Sequence, residues 1–223
     1  MNNNILGIFL SFIFVFSLIF ISSILGKKNL LSNEETRKFI HIGVSNWWII
    51  AMIYFDSKLY AIIVPTIFII LNYLSYRLNI VKSMERDGSK NDLGTVYFPI
   101  SLLILVLMTF SSFSHPYIGA IGILVMGYGD GLAAIIGKKY GKIKFHVFGN
   151  EKSFAGSLTM FLASFIVTAI ILAIYSPDNL FFISFYIAIF STLIEAISPF
   201  GLDNLTVPIL TSIFYQLCFA KVI

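Results

Sequence analysis

Three carboxylates stand in or beside stretches that otherwise read as hydrocarbon. Asp130 lies in GYGDGLAAIIGKKYGK (127–142), and Glu195 and Asp203 lie in IEAISPFGLDNLTVP (194–208). An ionised carboxylate near a bilayer centre costs at least about 2.5–3.5 kcal/mol, so a function should offset that cost. Together the three could supply hard oxygen ligands. Mg²⁺ takes one or two carboxylates plus substrate phosphates, which makes a divalent cation the first chemistry to consider. Asp203 and Asn204 also stand where they could cap a helix, whereas Glu195 has no such simple role.

Small and basic residues surround these acids. From Asp130 the positions Ala134, Gly137 and Gly141 share one helical face, and Gly127 and Gly131 form a GxxxG pair that lets another helix approach. Lys138, Lys139 and Lys142 follow. GNEKSFAGS (149–157) then sets Lys152 and Ser153 beside Gly156 and Ser157 before the next apolar run. The N-terminus of a helix attracts anions, so a lysine and two hydroxyls there could cradle phosphate or hold an anionic lipid head group. In SNEETRKFIHIGVSNWW (32–48), Ser32 and Glu35 have capping-box spacing. Arg37, Lys38 and His41 then form a cationic face expected at the membrane surface, in contact with phosphate or lipid heads. DLGTVYFP (92–99) reads as a turn followed by an interfacial Tyr97, with no chemistry of its own.

The elements that must position these residues are membrane helices. The 223 residues are 58% hydrophobic and only 12% charged, with mean hydropathy +0.91, against about 25% charged in a soluble domain. Apolar runs at 4–25, 42–56, 59–76, 96–113, 116–137, 157–176, 179–198 and 205–222 give eight helices, or seven, in one all-α polytopic domain. The second run is short and could start earlier. Residues 1–25 lack a basic leader and are too long for a signal sequence, so they read as a retained first helix. Thirteen of the fifteen Lys and Arg fall between helices one and two, three and four, or five and six; only Lys58 and Lys221 fall elsewhere. The positive-inside rule makes those loops cytoplasmic and puts both termini outside. The chemistry is then expected at the cytoplasmic interface, in the 77–95, 138–156 and 199–204 connections.

Several classes are excluded or weakened. The net charge of +4 sits on loops, not on a soluble basic domain, so no nucleic-acid partner is expected. A single cysteine, Cys218, allows no disulfide within the chain. Neither GKKYGK (137–142) nor GNEKS (149–153) fits GxxxxGK[ST], and no strand precedes them, so a Walker site is not supported. An ion transporter using Asp130 and Glu195 would account for the acids but not for the lysine and serine cluster. A scaffold whose small residues serve only packing would explain neither.

The constellation resembles the integral-membrane lipid-alcohol kinases that use CTP, including dolichol, phytol and CTP-dependent diacylglycerol kinases. These are distantly related to phosphatidate cytidylyltransferases. The resemblance lies in RKFIH (37–41), GTVYFP (94–99), GDGLAAIIGKKYGK (129–142), KSFAGS (152–157) and GLDNLTVP (201–208), in that order, over about residues 35–210. The first helix and its connector, 1–30, lie outside it. The resemblance implies transfer of phosphate from CTP to a polyprenol, a phytol-like alcohol or diacylglycerol. It makes Asp130 and Asp203, with Glu195, the ligands of Mg²⁺ or another divalent cation. Asp130, Lys152 and Asp203 would be catalytic, and Gly137, Lys138, Gly141, Lys142, Lys152, Ser153, Gly156, Ser157 and Asn204 would bind the nucleotide. Many relatives carry Glu in KSxEGS where Ala155 stands here, a departure that bears on the substrate. A cytidylyltransferase making a CDP-lipid is the alternative within enzymes. The base that takes the alcohol proton is open between Asp130, Glu195 and His41.

Overall fold

A computed structural model describes residues 2–78, 93–147, 150–199 and 201–220. Lys82, Arg86, Lys90 and Asp92, expected in the 77–95 connection, and Lys221, expected on the opposite side, lie outside the described residues. The helices are α1 (Asn3–Lys27), α2 (Asn33–Ser45), α3 (Trp47–Tyr54), α4 (Lys58–Ala61), α5 (Ile63–Leu78), α6 (Gly94–Thr109), α7 (Pro116–Tyr140), α8 (Phe154–Tyr175), α9 (Leu180–Ile197) and α10 (Asp203–Cys218). Each of the eight apolar runs becomes a helix or a pair of helices. Among the described residues, α1, α4–α5, α7, α8 and α9 are long and apolar enough to cross a membrane, and α6 is a shorter apolar helix. The chain is an all-α, polytopic membrane protein.

The second predicted helix does begin early. Ser32 accepts from the Glu35 N–H while the Glu35 carboxylate accepts from the Ser32 N–H, closing the capping box and starting α2 at Asn33. α2 and α3 are separated only by Asn46, whose side-chain amide donates to the Ile42 carbonyl at 2.8 Å and whose side-chain oxygen accepts from Tyr128. A polar residue that competes for the helix's own carbonyls interrupts the run here.

α7 is the axis of the bundle, and its glycines explain why. A Cβ on Gly119 would enter the Trp48 ring, one on Gly122 the Pro208 carbonyl, one on Gly127 Ser45, one on Gly129 Met160, and one on Gly131 Ile42. α3, α10, α2 and α8 therefore all pack against α7 at close range, on several sides of one stem. Trp47, Trp48, Ile121, Ile123, Met126, Met160 and Leu172 fill the fully buried core. Lipid supplies no hydrophobic drive between helices, so polar side chains fasten them. Trp47 donates to Ser11 at 2.8 Å, Trp48 to the Pro116 carbonyl at 2.8 Å, and Ser212 to the Ile118 carbonyl at 3.0 Å. α1, α8 and α9 instead turn Phe9, Phe20, Ile166, Ile170 and Phe181 outward.

The 138–156 connection is not the loop expected from the sequence. α7 continues to Tyr140, and β1 (Lys144–Val147) pairs antiparallel with β2 (Asn150–Ser153), with Lys144 opposite Ser153 and Phe145 opposite Lys152. The Phe154 N–H donates to the Ile143 carbonyl at 3.0 Å, and Lys144 pairs with Glu151 at 2.7 Å. The hairpin delivers β2 directly into α8, which fixes where Lys152 and Ser153 point.

Candidate active site

The three acids come from three helices. Asp130 lies in the second half of α7, Glu195 near the end of α9, and Asp203 at the first residue of α10, just after a turn through Gly201 at φ 78. That positive φ favours glycine. One carboxylate oxygen from each acid lies within 4.8 Å of the others. Asp130 and Glu195 are buried and Asp203 is half-buried.

Like charges so close require compensation, and two lysines supply it. The Lys38 ammonium donates to Asp130 Oδ2 at 2.5 Å, and both side chains are buried. Lys152 forms an ion pair with Glu195. His41 Nε2 lies 3.4 Å from the same Asp130 oxygen. Asp203 Oδ1 accepts from the Asn204 backbone N–H at 2.9 Å and from its side-chain amide at 3.0 Å. Asp203 thus orders the first turn of α10 without being its N-cap, which is Leu202. Each of these contacts engages one oxygen per carboxylate. Hard oxygen donors in mutual proximity fit Mg²⁺ or a similar cation.

Burial alone would lower the Lys152 pKa, but the Glu195 carboxylate beside it, with Asp203 and Asp130 beyond, outweighs that and holds it above the ordinary lysine value. Lys152 is a fixed positive charge at neutral pH.

These groups line a cleft of about 770 Å³, within the range of small-ligand sites. Of the residues singled out in the sequence, Arg37, Lys38, Asp130, Gly137, Lys138, Lys152, Ser153, Gly156, Ser157, Glu195, Asp203 and Asn204 all reach it. Small residues make the room. A Cβ on Gly137 would lie 2.9 Å from Ser153 Oγ and 3.3 Å from the Gly156 Cα, and one on Gly156 would lie 3.1 Å from the Ala133 carbonyl. α7 and the start of α8 meet backbone to backbone along one wall.

Other expectations need correction. Lys142 is exposed and does not line the cleft, because α7 ends at Tyr140 and the chain turns away toward the hairpin. Gly141 also lies outside it and packs under the cradle against Ser153. Lys38 and His41 do not face lipid heads: α2 leans on α7 through Gly127 and Gly131, which turns both side chains inward to Asp130. The α8 N-terminus offers less to an anion than its position suggests. The Phe154 N–H is taken by the Ile143 carbonyl and the Gly156 N–H by Ser153 Oγ at 3.1 Å, so the positive charge comes mainly from lysine side chains. Ala134, on the small-residue face expected from the sequence, lines the cleft, and Ala133, Ser198, Lys144 and Glu151 line it without having been singled out.

A hydrophobic helix bundle that gathers acids and lysines into one polar cleft defines a membrane protein with a charged site. Comparison with known proteins narrows the class. The chain is 37% identical over 195 residues to a phytol kinase of Synechocystis, covering 84% of this chain and 81% of that protein. It is 30% identical over 215 residues to a probable phytol kinase of Oryza sativa subsp. japonica, covering 86% and 67%. A farnesol kinase of Arabidopsis thaliana is 28% identical over 155 residues, covering 65% and 49%. No protein-family model matches the chain, and no solved structure matches it. The chain belongs to the lipid-alcohol kinase family that includes these phytol kinases.

Proposed function

We propose that the protein transfers the γ-phosphoryl group of CTP to the hydroxyl of a prenyl-type membrane alcohol, with phytol as the model acceptor, at the cytoplasmic face. The observation that carries this reading is the meeting of Asp130, Glu195, Asp203, Lys38 and Lys152 in one cleft at the end of a bundle whose kin phosphorylate lipid alcohols. CTP as donor rests on the five motifs and their order. The cytoplasmic orientation rests on the basic connections.

In the reaction the alcohol oxygen forms a bond to the γ-phosphorus, the bond from that phosphorus to the β–γ bridging oxygen breaks, CDP leaves with that oxygen, and the alcohol proton is released to water. Such transfer needs charge neutralisation and positioning more than covalent help. A divalent cation held by Asp130, Glu195 and Asp203 would neutralise phosphate charge. Lys152, fixed by Glu195, presents a cation beside Ser153, and Lys138 adds a second from α7. Lys38 and His41 hold the Asp130 carboxylate in one orientation. The transport reading loses support, since Asp130 and Glu195 are clustered and lysine-bound instead of strung along a path.

Purified protein in lipid with Mg²⁺ should phosphorylate phytol with CTP faster than with ATP; ATP acting equally well would overturn the donor assignment. Gly137→Val should lower kcat/KM for the nucleotide by about 10²-fold, because a side chain there pushes β2 and α8 off α7 and misplaces Lys152. Steady-state kinetics should show the KM for the alcohol little changed.

A further inference from the structure

A second, apolar crevice runs between α1, α2, α5 and α6 and shares Arg37 and Asn204 with the polar cleft. We infer that it holds the head end of a single-chain, isoprenoid alcohol, and that its narrowness selects such alcohols over two-chain lipids such as diacylglycerol. The inference rests on the kinase reading and specifies the acceptor of that same site.

The crevice is continuous with the cleft. His41 lines the crevice and stands 3.4 Å from Asp130, which lines the cleft. A hydroxyl at the polar end of the crevice, by Arg37, His41 and Asn204, is therefore next to the acids and lysines, while the carbon chain behind it meets Ile40, Val44, Phe98 and Leu102.

GTVYFP, which the cleft leaves unused, belongs to the crevice. Gly94, Thr95, Phe98 and Pro99 all line the crevice. Pro99 has no N–H to give to the Thr95 carbonyl four residues earlier. The Asn72 side-chain amide of α5 donates to that carbonyl at 2.8 Å instead. The proline opens an acceptor in α6, and Asn72 uses it to fix the spacing of α5 and α6 at the crevice's polar end.

From Gly94 to Leu102 the lining spans eight helical steps, about 12 Å, yet the volume is only about 70 Å³. That is room for the start of one chain, with the remainder passing out between helices into lipid.

The test uses the full-length protein in phosphatidylcholine nanodiscs with a prenyl alcohol carrying a diazirine on the isoprene unit next to the hydroxyl. Cross-links mapped by mass spectrometry should fall in residues 40–44 and 98–102 and be suppressed by excess phytol but not by excess diacylglycerol. Label confined to lipid-facing residues such as Ile166 and Ile170, or equal competition by diacylglycerol, would overturn the inference. In parallel, Val44→Phe should raise the KM for phytol about tenfold while the KM for CTP stays within about twofold; an unchanged phytol KM would contradict the site. Wild-type protein that phosphorylates no alcohol would defeat the kinase reading, and the cross-links would still report on the crevice separately.

Discussion

Asp130→Asn should lower phosphoryl transfer by about 10²–10³-fold, the scale on which one preorganised electrostatic contact acts in a water-poor site. The asparagine keeps the shape and removes the charge that Asp130 contributes to the triad and to its pair with Lys38. A second effect accompanies the first. Lys38 is only 4% exposed, and an ammonium stranded there destabilises the fold, by about 3–5 kcal/mol for a broken buried pair. The two effects separate in the double variant Asp130→Asn with Lys38→Met, which removes the stranded charge. Thermal unfolding in detergent should recover most of the lost stability, while turnover stays low. Recovery of turnover along with stability would reduce Asp130 to a structural partner of Lys38.

Lys152→Ala should be comparably severe, again about 10²–10³-fold in turnover. Lys152 is the cation that the hairpin carries into the cleft, and Glu195, 4% exposed, has its ammonium partner there. The folded pKa of Lys152 is raised above 10.5, so the pairing contributes fully below the unfolded value and is lost only as pH rises through the raised one. A rate profile between about pH 7 and 9 should show no limb from Lys152. Ion flux in liposomes, measured on the same variant, should not change, whereas a transporter built on Glu195 would respond.

The helices were legible because hydropathy is the dominant signal in a membrane chain, and each apolar run became a helix or a helix pair. The acids were legible for a related reason: Asp130 and Glu195 stand out where charge is expensive, and Asp203 follows the proline and glycine that end the preceding helix. Lys38 was not. A lysine one turn before an apolar run reads as a snorkelling surface residue, and only the packing of α2 on Gly127 and Gly131 shows that it is turned inward. The hairpin was missed because four-residue strands leave too short an alternation to separate from a basic loop. DLGTVYFP read as a turn leading to an interfacial tyrosine, with no chemistry of its own, because the exchange between Pro99, Thr95 and Asn72 joins two helices, a relation that local spacing does not contain.

We propose that this cleft moves the terminal phosphoryl group of a nucleotide onto a lipid alcohol. The direct measurement supplies purified protein in lipid and Mg²⁺ with CTP labelled at either the γ- or the α-phosphate, and with phytol or phosphatidate as acceptor. Label passing from the γ position into phytol, with none from the α position, is the predicted result. Label passing from the α position into phosphatidate would make the protein a CDP-lipid synthase and contradict the account.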